Sequence, residues 1–180
     1  RGGQAGLPAL QDTARSNELT SDIYDSWDEC REAIAYVLDA SGNGNPFMDI
    51  GWMEAWWRQW GRGKTLSVFV VARNDGPIGF APLYYVTSLG IREYFLVGHR
   101  KANYLELAHL PGHADHMLHT LLTALESTGW PALLHMMDVN SESESFAALR
   151  SLQKDGDFEV ALRWLYPCPY ARLSTDWEGY

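Results

Sequence analysis

The stretch 65–97 constrains this chain most, because three strand signals follow one another with only tight turns between them. Thr65-Leu66-Ser67-Val68-Phe69-Val70-Val71-Ala72 is rich in β-branched and aromatic residues, which suit a pleated, half-buried surface. Asn74-Asp75-Gly76 is a hairpin signal, and 78–86 continues as the partner strand. Ser88-Leu89-Gly90 turns the chain again into 91–97. Strands joined this closely must run antiparallel, since a parallel neighbour needs a long crossover. Pro82 lies within the second strand and is expected at an edge or bulge, because it has no N–H for the ladder.

Helical signals surround this meander. Ser26 with Glu29 three residues on fits a capping box, and Trp27, Cys30, Ile34, Val37 and Leu38 follow at helical spacing. A second helix is expected over 50–60, with Asp49 as its N-cap. On it Trp52, Trp56 and Trp60 recur every four residues, beside Met53 and Trp57. Such a stripe reads first as core packing against a sheet and second as a stacking platform for a ligand. Downstream, helices are expected over 113–128 (inner face Leu118, Leu121, Leu122 and Leu125) and 142–154 (Phe146, Leu149 and Leu152). Strands are expected over 132–139 and 158–165, with another short one over 170–173. The order predicts an α/β fold: a mixed sheet, antiparallel meander first and then entered by crossover helices.

Composition narrows the function. With 46% hydrophobic residues among 180, the chain can build a packed core of one domain. Fourteen basic residues against 23 acidic ones give a net charge of -9, the wrong balance for a nucleic-acid partner or an anionic membrane surface. No apolar run approaches a membrane span. Two distant cysteines, Cys30 and Cys168, give no disulfide framework and fit a reduced, cytoplasmic setting. Residues 1–22 read as a flexible lead before an α/β domain over 23–180, and Arg1 in place of Met fits a processed, tagged or excised chain.

Several catalytic patterns are missing. His109, His113, His116 and His119 lack an HExxH or Cys-pair context, so no metal site is expected, with His113 and His116 sharing a surface ion as the weaker idea. No serine sits in G-x-S-x-G, and no GxxxxGK[ST] or GxGxxG loop occurs. Cys168 lies between prolines with no activating neighbour. The connection 98–112 carries the densest polar chemistry: His99, Arg100, Lys101, Asn103, Tyr104, Glu106 and His109. On an extended segment Tyr104 and Glu106 would face one side, as an acid/base pair beside a pocket requires. The competing reading is a solvated loop.

The order of several loose motifs resembles a known family. Asn45-Pro46-Phe47 with Trp52-Met53-Glu54-Ala55-Trp56-Trp57, then Gly79-Phe80-Ala81-Pro82-Leu83-Tyr84, is similar to the entry helix and hairpin of the GNAT/FemAB-like acetyltransferases, CelD-type proteins linked to cellulose or other envelope polysaccharides. Leu96-Val97-Gly98 with Asn103-Tyr104-Leu105-Glu106-Leu107, and Pro169-Tyr170-Ala171-Arg172-Leu173 with Trp177-Glu178, resemble two further segments of that family. The resemblance spans 45–180 and implies a GNAT-like fold. It implies acyl transfer from acetyl-CoA or another acyl-CoA to an amine or sugar-type acceptor, with a base deprotonating the amine and backbone N–H groups holding the oxyanion. On it, Glu106, Tyr104 and His99 are the catalytic candidates, and Trp52, Trp56, Arg100, Lys101 and Asn103 the substrate-binding ones.

The family's Q/R-x-x-G-x-G/A turn for the CoA pyrophosphate is absent from 98–112, and Asn103 stands where Asp is usual. Members generally carry two GNAT-like halves, so this chain is expected to be the N-terminal half, partnered by a second such domain or a homo-oligomer, and the donor site can lie outside it. The alternative is a non-catalytic, degenerate module that binds a partner domain or a glycan.

Overall fold

The computed structural model describes residues 19–167. In chain order it contains β1 (Thr20–Tyr24), α1 (Trp27–Ser41), α2 (Ile50–Trp60), β2 (Thr65–Arg73), β3 (Gly76–Ser88), β4 (Ile91–Leu96), β5 (Ala108–His109), α3 (Ala114–Ser127), β6 (Ala132–His135) and α4 (Glu144–Asp155). A 3₁₀ turn, Pro46–Met48, joins α1 to α2.

The helix starts are set locally. Ser26 Oγ accepts the Asp28 N–H at 3.3 Å, Asp49 Oδ1 the Trp52 N–H at 3.0 Å, and Ser143 Oγ the Phe146 N–H at 3.2 Å. Gly42 and Gly156 close α1 and α4 in the left-handed conformation, at φ 64° and 78°.

The strands form one mixed sheet in the order β1-β2-β3-β4-β6, with β5 beside β3. All pairs are antiparallel except β4 with β6, where Arg92–Phe95 run parallel to Ala132–His135. Meander followed by crossover is thus the observed topology, the crossover running through α3. Residues 20–22, expected in a flexible lead, are part of β1, because 20–24 pair in register with 68–72 of β2. The strand expected over 132–139 ends at His135, and 158–165 form no strand. The strand expected over 170–173, Cys168 and the motif over 169–178 lie outside the described residues.

Pro82 corrects its expectation. It lies in β3, inside the sheet, opposite Val68 on one side. On the other side Val97 N donates to Pro82 O at 2.7 Å, and the reciprocal bond cannot form. Here the neighbouring strand leaves. The ladder reaches Leu83↔Leu96, the chain departs over 98–107, and it rejoins β3 at Phe80↔Ala108. Proline is tolerated because its N–H-free side faces the gap that this departure opens.

Two cores clothe the sheet. Phe69, Val71, Leu83 and Leu96 pack against Leu118, Leu121 and Leu125 of α3 and Leu152 of α4. Val68, Val70, Phe80 and Tyr84 pack against Ile34 and Val37 of α1 and Met53 and Trp56 of α2. Leu122 and Leu149, expected on the inner helix faces, are half-buried at the margin of the first core, and Phe146, expected there too, is half-buried and lines a cleft instead. Among the described residues no helix is long and apolar enough to cross a membrane.

Candidate functional site

Strand register builds a row of rings on the face covered by α1 and α2. Tyr84 of β3 is opposite Phe95 of β4, and Phe95 is opposite His135 of β6. Tyr84 stacks on Phe95 with centroids 5.5 Å apart, and Phe95 on His135 at 4.7 Å and 5° between planes. Trp56 of α2 extends the row by stacking on Tyr84 at 5.4 Å, and Trp60 follows Trp56 at 5.9 Å. His99 leans on Phe95 from the excursion, at 4.7 Å.

At the far end of this row His135 Nε2 lies 3.2 Å from Glu93 Oε2, the two side chains being 36% and 34% exposed. Phe95 fixes the ring plane and Glu93 the ring edge, so the imidazole is held from two directions. An imidazole so held, open to solvent on its remaining side, can accept a proton from a bound acceptor group. Neither residue stands out in the sequence. A histidine ending the apolar run Ala132-Leu133-Leu134 and a glutamate inside Ile91–Leu96 were the available signals.

The β4–β6 ladder ends at Phe95↔His135, and a cleft of about 770 Å³ is lined from the next residue, Met136, and not by His135 or Glu93. Asn103 and Tyr104 line it together with Met136, Asp138, Phe146 and residues 161–167. Asn45 Nδ2 donates to Tyr104 O at 2.8 Å and ties the excursion to the turn before α2. Tyr166 hydroxyl donates to Asp138 Oδ1.

The excursion brings some sequence candidates together. His99 is held below the usual histidine range, first by burial and then by Arg100 and His135, with Asp138 opposing. Burial raises the Tyr84 hydroxyl, with Arg100 opposing. Asn103 and Tyr104 lie on the cleft wall. The extended geometry expected for Tyr104 and Glu106 is absent, since Tyr104 sits in a bend at φ 56°. Glu106 lies between Leu105 and Leu107 of the α3-side core, and its Oε2 is buried without a hydrogen-bond partner among the described residues.

The tryptophans divide. Trp56 is 4% exposed and packs in the core. Trp52 is half-buried against Phe47 and Gly98, where a Cβ at φ 102° would lie 3.2 Å from its ring. Trp60 is 43% exposed, with Lys101 Nζ 5.7 Å above its ring. The stripe therefore reads as core along most of its length and as an open aromatic surface at its end.

The histidines disperse. His109 Nδ1, 3.1 Å from Leu110 O, must donate to that carbonyl, which leaves Nε2 to accept Ser145 Oγ at 3.3 Å. It thereby clips β5 to α4. His113 and His116 rings lie 6.1 Å apart, and His113 is held below the usual range, mainly by burial. Among the described residues no group of three His, Cys, Asp or Glu could hold a metal ion. Burial pushes the Cys30 thiol up to about 11, so it stays a neutral core group.

No protein-family model matches the chain, and no curated protein does either. Solved structures with a similar arrangement include a fungal multi-domain GH3 beta-N-acetylglucosaminidase with a GCN5-related glucosamine N-acetyltransferase region, at 18% identity, TM-score 0.48, over 84% of this chain. The chain spans 18% of the length of that protein. An aminoglycoside acetyltransferase from an uncultured soil metagenomic sample is similar at 13% identity, TM-score 0.45, over 85% of this chain and 100% of its own. A ribosomal-protein-alanine N-acetyltransferase from Brucella melitensis biovar Abortus 2308 is similar at 14% identity, TM-score 0.44, over 86% and 100%.

Proposed function

We propose that this chain is an N-acyltransferase domain whose own residues bind and deprotonate an amine-bearing acceptor. The observation that carries the reading is the His135–Glu93 pair, stacked on Phe95 where the parallel ladder ends. His135 takes the proton from the acceptor amine. Glu93 orients the ring and offsets the charge it gains. His99, kept neutral near pH 7 by burial, lets the amine approach without adding a cation. Asn103 and the Tyr104 backbone shape the cleft wall on the acceptor side. The motif order described above supplies the acyl-CoA donor class.

The donor's pyrophosphate does not fit the turn before α3, where the resemblance would put it. Glu144 Oε2 already accepts the Gly112 N–H there at 2.9 Å, and a carboxylate at that position repels phosphate. No step is therefore assigned to donor groups at that turn. The same observation favours a second reading, a non-catalytic module of this fold that binds an acceptor-like glycan or a partner domain without turning it over.

Thiol release from acetyl-CoA, followed with a panel of amino sugars and aliphatic amines, separates the two. The acyltransferase reading expects turnover that falls about 10²–10⁴-fold in His135→Gln and in Glu93→Gln, with unchanged thermal midpoints. No turnover with any amine assigns the chain to the module reading. Turnover that both variants retain removes His135 and Glu93 from the chemistry.

A further inference from the structure

Side chains alternate along β4, so Tyr94 belongs to the α3-side core while Phe95 packs on the other face with the ring row. Arg92 shares the Tyr94 face. Its guanidinium carbon lies 4.8 Å from the centre of the Tyr85 ring and 4.8 Å from that of Trp130. A guanidinium held against rings keeps its planar edge for hydrogen bonds to a carboxylate. Here Arg92 Nε is buried without a hydrogen-bond partner, and the side chain makes no ion pair among the described residues, where the pairs are Arg31 with Asp28 and Glu54, His109 with Glu144, and His135 with Glu93.

A cavity of about 470 Å³ is lined by Arg92 together with Ser67, Tyr85, Tyr94, Asp25 and Glu29. Ser67 and Tyr94 are 4% and 1% exposed, and neither hydroxyl has a hydrogen-bond partner among the described residues. Buried hydroxyls are nearly always paired, so two of them on one cavity, beside an unpaired guanidinium, mark a place built to hold polar groups. Asp25 and Glu29 make no ion pair among the described residues either. Opposite charges therefore line one cavity without meeting.

The spacing suits a small bridging ligand. Asp25 directly follows β1, the guanidinium lies over Tyr85 of β3, and β2 is the strand between, so two strand spacings of about 4.8 Å each separate them laterally. An ammonium and a carboxylate on one carbon, each with a hydrogen bond of about 2.8 Å, reach across about 9 Å. The volume is also in the range of small-molecule pockets.

We infer that this cavity binds a free α-amino acid, its carboxylate on Arg92 and its ammonium on Asp25 and Glu29, with the Ser67 and Tyr94 hydroxyls beside them. Ile23 and Leu66 give its side chain an apolar wall. The site goes beyond the acyltransferase reading and does not rest on it, because Phe95 and His135 stack on the other face of the sheet, at the other end of β4.

The twenty common amino acids are screened against the intact chain by the rise in its thermal unfolding midpoint, and those that raise it are measured by calorimetry. At least one is expected to bind. Its N-acetyl and amide derivatives, each lacking one charge, are expected to bind at least tenfold more weakly. Arg92→Gln is expected to weaken binding about ten- to hundredfold, and Asp25→Asn and Glu29→Gln by up to about fivefold each. Both acids are exposed, so those two variants keep the wild-type midpoint and carry the test even where Arg92→Gln destabilises the fold. His135→Gln is expected to bind as the wild type does. Failure of all twenty to bind overturns the site, and so does a derivative blocked at one end that binds as tightly as its parent. Binding that His135→Gln loses while Asp25→Asn, Glu29→Gln and Arg92→Gln retain it overturns the site as well, because the ligand then sits on the other face.

Discussion

The two faces of the sheet are packed by different means. On the α3 side the helix contributes aliphatic side chains, closed over Phe69 and Tyr94 of the sheet, with Met117, Leu118 and Leu121 at 0%, 1% and 0% exposure. On the α2 side aromatic rings run from buried Trp56 outward to exposed Trp60 in one direction and to half-exposed His135 in the other. Aliphatic packing fills volume and stops. Stacked rings also fill volume, but they carry polar edges to the surface in fixed orientations. One face therefore closes over itself beneath α3, while the other is closed in the middle and carries polar groups to the surface at both ends.

The largest expected effects test whether both faces are structural at their centres. Trp56→Ala should cost about 3–5 kcal/mol and Leu121→Ala about 2–5 kcal/mol in urea unfolding, since each leaves a cavity in a closed core. Trp60→Ala, on the same helix as Trp56, should stay within about 0.5 kcal/mol. A large loss at Trp60 would erase the distinction between the middle of the row and its end.

A smaller effect is expected where the excursion meets the rings. Gly98→Ala puts a Cβ at φ 102°, 3.0 Å from Leu105 and 3.2 Å from the Trp52 ring, and should cost about 1–3 kcal/mol. The same measurement reports whether the excursion folds with the α2 face, because a neutral result would mean it moves independently of Trp52.

The smallest effect is a pH slope. Burial holds His99 on the α2 side, and His113 before α3, below the usual histidine value of 6.5. The unfolded chain then binds more protons than the folded one just below that value, so stability must fall as the pH drops through 6.5 toward the depressed values, and must be flat above it. His99→Gln should remove part of that slope in urea midpoints measured between pH 5 and 7.5. An unchanged slope would move the effect to His113 and away from the site.

Much of the local structure was legible before any coordinates. Ser26, Asp49 and the Asn74-Asp75-Gly76 turn act through neighbours a few residues away, so their spacing was enough. The candidate site was legible only in part. The segment 98–112 stood out by composition, but the position of each group in it did not, because Tyr104 bends at φ 56° where an extended path was expected. Glu93 and His135 were missed for a related reason. Each sits in an apolar strand with nothing remarkable beside it, and they meet only because β4 and β6 pair in parallel across 42 residues of chain.

The sequence by itself determined the mixed α/β class, the antiparallel meander, most helix starts and the aromatic stripe, since these follow from periodicity, caps and turn chemistry within one or two turns of chain. Only the tertiary structure decided that Pro82 lies inside the sheet beside a departing strand. Register across three strands aligned Tyr84, Phe95 and His135 into one row, and the excursion brought Lys101 over the indole of Trp60, whose carbonyl Lys64 bonds. The physical reason is that local signals are set by a residue's neighbours in sequence, whereas a site is set by strand register and by where a connection closes, which distant contacts fix together.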